Sequence, residues 1–249
     1  MTAEQKGMAG TMNACRGIVS AYLAVEVVLF ALIHVCEIFE LGLLTNVSMY
    51  ASVVLGAIVA LWFYARFGKS AGNKRANIIV AGLVATAVSD IFLTLIDTEW
   101  TLLPGFVAFC VTEVVYWGYV GFSLRSLVAR IGAMIALFAL IWSMGELTFS
   151  HAVGLIDIAL VLCNAAQAWL NRKTGVSLLF AIGITLFFCC DASIAVRILS
   201  AGVVHDVSAL LVWAFYVPAQ VFITMSYVHS VRPLSCQGAM PNACAGTAA

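Results

Sequence analysis

The sequence predicts an all-α polytopic membrane protein, a bundle of about eight transmembrane helices with both termini in the cytoplasm. Three observations lead there. Of the 249 residues, 63% are hydrophobic and only 10% charged, with a mean hydropathy of +1.07. A water-soluble domain of this length needs a more polar skin, so lipid has to be the solvent for most of the surface. The apolar residues also fall into eight runs, each close to the ~20 residues that cross a ~30 Å hydrocarbon core. Finally, the basic residues alternate with those runs.

The first run, 18–42, begins near Gly17. At about 25 residues it is too long for a signal-peptide h-region, and it is read as an anchor. The others occupy 47–66, 76–97, 101–123, 130–147, 152–170, 175–197 and 207–229, with short connections. Residues 1–17 are expected to form a cytoplasmic N-terminal tail and 231–249 a disordered C-terminal tail, both being polar or rich in small residues. Between them, 18–230 make one transmembrane domain, with no linker to divide it.

Lys6 and Arg16 precede the first span, and Arg66, Lys69, Lys74 and Arg75 lie between the second and third. Arg125 and Arg130 separate the fourth and fifth, Arg172 and Lys173 the sixth and seventh, and Arg232 follows the eighth. Eleven of the 12 basic residues therefore fall on one side, which the positive-inside rule makes cytoplasmic; Arg197 is the exception. A wrong span count would scramble this alternation.

Formal net charge is zero and no basic stripe is interleaved with aromatics, so nucleic acid is not an expected partner. The 8 cysteines show no C-x-x-C or Cys/His pairing, which points to packing rather than to disulfides or structural zinc. His34 and Glu37 stand one turn apart, half of a metal site at most. The seventh span has no lysine for a retinal Schiff base, and no metal or cofactor is expected.

Ionisable groups inside the bilayer need a partner or a purpose. They are Glu26, His34 and Glu37 in span 1, Asp90 in span 3, Glu113 in span 4, Asp157 in span 6 and Asp191 in span 7. At ~1.5 Å rise per residue, Asp90 and Asp191 lie about 10 Å and about 9 Å below the outer ends of their helices, nearly the same level. Thr86, Asp90, Thr94 and Asp97 make one polar stripe, and Tyr216, Gln220 and Thr224 a second; Glu113 and Tyr116 share a face. A polar chamber in the outer half of a helical bundle accommodates them all. Taken singly, each acid also reads as interhelical glue.

Several segments resemble a known family. Ser89-Asp90-Ile91-Phe92-Leu93, then Gly105-Phe106-Val107-Ala108-Phe109 and Tyr116, resemble the G-D-x-x-L … G-x-x-x-F … H-x-x-Y pattern of the YhhN-type lysoplasmalogenases. Cys190-Asp191-Ala192-Ser193-Ile194-Ala195 is similar to that family's S-D-x-x-x-A, and Tyr216-Val217-Pro218-Ala219-Gln220 with Ser226 to its Y-x-x-A-Q … S. The resemblance spans about 76–230. Ser89 stands for the usual glycine, Cys190 for the serine and Glu113 for the histidine, and an early lysine-proline pair is missing.

The resemblance implies hydrolysis of the vinyl ether bond of a lysoplasmalogen to a fatty aldehyde and glycerophosphoethanolamine or glycerophosphocholine. The partners are then a lysophospholipid or ether-lipid substrate and the membrane lipids. Such a reaction needs a proton donor for the alkenyl carbon and a carboxylate to steady the resulting oxocarbenium ion and activate water. Asp90 and Asp191 are the expected pair, since two acids in one dry chamber cannot both ionise cheaply. Tyr216 and Gln220 are expected to orient the substrate, Glu113 and Tyr116 to contact it, and Arg197 to meet a lipid phosphate or to anchor the interface.

Two other functions fit the same residues. A tyrosine follows Asp90 by 26 residues and Asp191 by 25 (Tyr116, Tyr216), which hints at an internal repeat and a proton-coupled small-solute transporter. A non-catalytic lipid-binding protein would use the acids as glue alone.

Overall fold

The computed structural model describes residues 3–68, 74–96, 98–144 and 149–231. Among the described residues there are eight α-helices and no strand: α1 (Ala3–Ile38), α2 (Gly42–Phe63), α3 (Lys74–Asp90), α4 (Glu99–Val120), α5 (Leu124–Met144), α6 (Phe149–Leu170), α7 (Leu178–Leu199) and α8 (Val203–Val231). Seven are long and apolar enough to cross a membrane, namely all but α5. α5 has 21 residues and carries Arg125 and Arg130 in its first two turns. The polytopic all-α bundle expected from hydropathy is the observed fold.

Two differences concern helix ends. α1 begins at Ala3, so its helix takes in most of the stretch 1–17 that was set apart as an N-terminal tail. α2 runs into a π-helical turn at Tyr64–Gly68, and α3 into another at Ile91–Ile96, directly after Asp90. Such wide turns inside helices recur at functional sites. Lys69, Asp97, Arg232 and the expected C-terminal tail from 232 lie outside the described residues, as do the side chains of Lys6 and His151.

Helix ends follow local chemistry. Ser177 caps α7, its hydroxyl accepting from the Phe180 N–H at 3.4 Å. Thr98 and Thr101 form a reciprocal capping box at the start of α4. At the far end of α4, the Arg75 guanidinium donates to the carbonyls of Tyr119 (2.6 Å) and Val120 (3.2 Å), supplying donors and positive charge where a helix lacks both.

Lipid as solvent explains the surface: Val27, Leu43, Ile135 and Leu170 point outward. Helix pairs close on small residues. A Cβ on Gly183 of α7 would stand 3.0 Å from the Ile223 nitrogen and 3.1 Å from the Ala219 carbonyl of α8, and these two helices share the most extensive packing. Gly82 of α3 likewise admits the Tyr116 ring of α4. Glu26 of α1 accepts from Ser52 of α2 at 2.5 Å, a polar tie between two otherwise apolar helices.

Candidate functional site

Arg66, Lys74, Arg75, Arg125, Arg172 and Lys173 lie in or beside the connections α2–α3, α4–α5 and α6–α7, which mark one end of the bundle. A cavity of about 620 Å³ lies toward the other end, reached by residues from α1, α2, α3, α4, α6, α7 and α8. Leu93, Phe106, Phe109 and Trp213 give it apolar walls, while Glu37, Asp90, Asp157, Asp191, Tyr216, Arg197 and His205 are among its polar groups.

Four of the seven residues singled out from the sequence therefore meet here: Asp90, Asp191, Tyr216 and Arg197. Asp90 is 2% exposed and accepts a hydrogen bond at Oδ2 from the Tyr216 hydroxyl at 2.5 Å, so α3 and α8 are joined at the cavity wall. Asp191 is 6% exposed and its Oδ2 has no hydrogen-bond partner among the described residues. The two carboxyl groups thus differ: Asp90 is held by a donor, whereas Asp191 has a buried oxygen with none among the described residues. Arg197 is exposed at the mouth, near half-buried His205, whose Nδ1 lies 3.2 Å from an Asp206 oxygen.

The other three do not line the cavity. Glu113 sits one turn beyond Phe109 on α4 and faces α6, where the Asn164 amide donates to its carbonyl at 2.8 Å and to its Oε2 at 2.7 Å. The Asn164 oxygen accepts in turn from Arg130. Arg130 also donates to the Ser126 carbonyl and to Gln167 Oε1, both at 3.1 Å, and stacks 4.2 Å over the Trp117 ring. This side chain, expected in a cytoplasmic connection, is 1% exposed and ties α5 to α6. Tyr116 packs on Gly82 and edge-on to Phe180, ring centroids 5.5 Å apart. Gln220 is buried one turn beyond Tyr216, both of its amide atoms unpartnered among the described residues.

Asp157 is the site residue that the sequence reading named without using. It is 4% exposed, lines the cavity from α6 and leaves its Oδ1 unpartnered among the described residues. Its depth was the available signal: at ~1.5 Å per residue it lies about 12 Å along α6 from Phe149, and Asp191 the same distance from Leu199 at the end of α7. His205 and Trp213 also line the cavity, and nothing in their spacing marked them. His34, half of the suggested metal pair, donates from Nδ1 to the Phe30 carbonyl at 2.9 Å within its own helix. Among the described residues no three His, Cys, Asp or Glu side chains are grouped as a metal ion would need.

The family model of the YhhN family matches residues 49–227. That stretch runs from early α2 almost to the end of α8, so it holds the cavity walls except Glu37 and Asn46 and reaches further toward the N-terminus than the motifs at 76–230. No match was found among curated proteins or among solved structures.

Proposed function

The chain belongs to the YhhN family, and from that premise we propose that it is a membrane-embedded hydrolase cleaving the vinyl ether bond of lysoplasmalogens. The products are a fatty aldehyde and a glycerophosphoethanolamine or glycerophosphocholine. One observation carries the reading: two buried acids from different helices, one of them held by a donor, face a single cavity that has apolar walls and Arg197 among its polar lining. Vinyl ether hydrolysis calls for that division of labour.

In this mechanism Asp191, protonated, gives its proton to the alkenyl carbon remote from the ether oxygen. The double-bond electrons form the new C–H bond, leaving an oxocarbenium ion. Asp90, oriented by Tyr216, steadies that cation and accepts a proton from the water that attacks it. The hemiacetal then collapses: its hydroxyl proton returns to Asp191, the C–O bond breaks, and Asp90 passes its proton to the departing glycerol oxygen. One water is consumed and both acids regain their starting states. Arg197 at the mouth takes the lipid phosphate.

Purified Asp90→Asn and Asp191→Asn proteins, still folded in detergent, are expected to release no aldehyde from a lysoplasmalogen. Undiminished turnover in either removes that acid from the mechanism.

A further inference from the structure

A second, narrower feature meets the cavity at its acids. Between α4, α6 and α7 runs a groove walled by Phe106, Gly154, Leu155, Ile158, Ala195 and Ile198. Among the described residues its titratable wall residues are Asp157 and Asp191, which line the cavity as well, so both spaces border the same pair of acids. Ile198 and Leu199, on the same groove, are 44% and 39% exposed on the lipid-facing surface of α7. The groove encloses about 50 Å³, and these exposed residues open one side of it to the bilayer.

The chemistry on its two sides differs sharply. One side of the acids is a roomy cavity with Arg197, His205, Asn46 and Glu37 near its mouth. The other is a slot walled by carbon. A molecule that satisfies both has a compact polar head, a single apolar tail, and its polar–apolar junction at the carboxyl groups. We propose that the groove between α4, α6 and α7 seats the hydrocarbon chain of a one-chain lipid, which slides in sideways from the bilayer and brings its head–tail junction to Asp157 and Asp191. The proposal rests on the hydrolase reading for the reaction, but the chain seat itself is read by binding. It adds Asp157 to the groups that touch the substrate. In a lysoplasmalogen the vinyl ether is that junction, so the groove selects the bond presented to the acids.

Gly154 supplies the test. A Cβ there would meet the Phe106 ring at 3.6–3.8 Å, ordinary contact, so a larger side chain fills the groove without displacing backbone. The probe is a lysophospholipid with a saturated ether chain, which lacks the bond to be cleaved, titrated against full-length protein in nanodiscs. Gly154→Leu is expected to weaken binding at least tenfold, and Ala195→Phe blocks the groove from the α7 side should the first variant fail to fold. Ile135→Phe, on the lipid-facing surface of α5, is expected to bind as wild type does. Wild-type protein that binds no alkyl lysolipid, or blocked variants that bind it undiminished, overturns the proposal. So does a blocked variant whose oligomeric state changes while lipid binding does not, since the groove is then an interface between copies. Blocked binding together with no aldehyde release by wild type from the alkenyl lipid leaves the chain seat standing and removes the hydrolase reading.

Discussion

Replacing Tyr216 by phenylalanine isolates the hydrogen bond to Asp90. Phenylalanine keeps the ring, and with it the contacts to Phe187 and Trp213, whose centroids lie 5.4 Å away in each case. What disappears is the hydroxyl that donates to Asp90 Oδ2 at 2.5 Å in a residue pair both under 5% exposed. A hydrogen bond to a charged group contributes about 1.5–3 kcal/mol, and buried partners cannot recover it from bulk water. In the proposed mechanism the hydroxyl holds the carboxylate where positive charge develops, so the loss falls on the transition state. The expected result is a drop in kcat of roughly tenfold to 150-fold, from ~1.4 kcal/mol per factor of ten, with KM nearly unchanged. Aldehyde release is followed by coupled reduction of the aldehyde, over a range of lysoplasmalogen concentrations. A variant with wild-type kcat refutes the assignment of Asp90 as a tyrosine-oriented carboxylate. A variant that merely unfolds at lower temperature, with kcat per folded molecule intact, reduces the bond to a tie between α3 and α8.

Two further predictions concern the scaffold. Arg130→Leu strands the buried acceptor of Asn164, costing roughly 1–3 kcal/mol, and removes the bond to half-buried Gln167, so thermal unfolding in detergent is expected at clearly lower temperature; an unchanged midpoint contradicts the tie between α5 and α6. Gly82→Ala places a Cβ 2.1 Å from Tyr116 Cε1 and is expected to destabilise by about 1–3 kcal/mol or more, with partial recovery in the Gly82→Ala, Tyr116→Leu double variant; additive losses contradict the contact.

The helix count and the level of the acids were legible because both are one-dimensional quantities. Lipid forces each crossing to announce itself as an apolar run, and a fixed rise per residue converts position into depth. Asp90 and Asp191 were found this way, and Asp157 was within reach of the same arithmetic. Helix rotation and neighbour choice are not one-dimensional. Glu113 was placed with the site because it falls where the family has a histidine, yet its face turns toward Asn164 of α6. Tyr216 was read as part of a stripe, but that its partner is Asp90 depends on α3 and α8 being neighbours. Arg130 was counted as a cation between spans 4 and 5, but it lies in the second turn of α5. A charge count cannot tell that its long side chain folds inward to Trp117 and Asn164 rather than out to water.

The packing below the cavity bears on which function the acids serve. A transporter must open its site alternately to both ends, so the helices on the closed side have to part. Here that side is filled by rings and close backbones. Phe109 stacks on Phe187 with centroids 5.7 Å apart, Tyr116 lies against Phe180 and occupies the space left by Gly82, and Tyr116, Phe180 and Phe187 are fully buried. Gly183 locks α7 to α8 at backbone contact, and the Tyr216–Asp90 bond closes α8 onto α3. Opening a path past them means separating interdigitated residues of four helices at once, against close-packed interior contacts. A hydrolase makes no such demand. Its substrate needs one way in, and a rigid floor suits a reaction that depends on two carboxyl groups held in place.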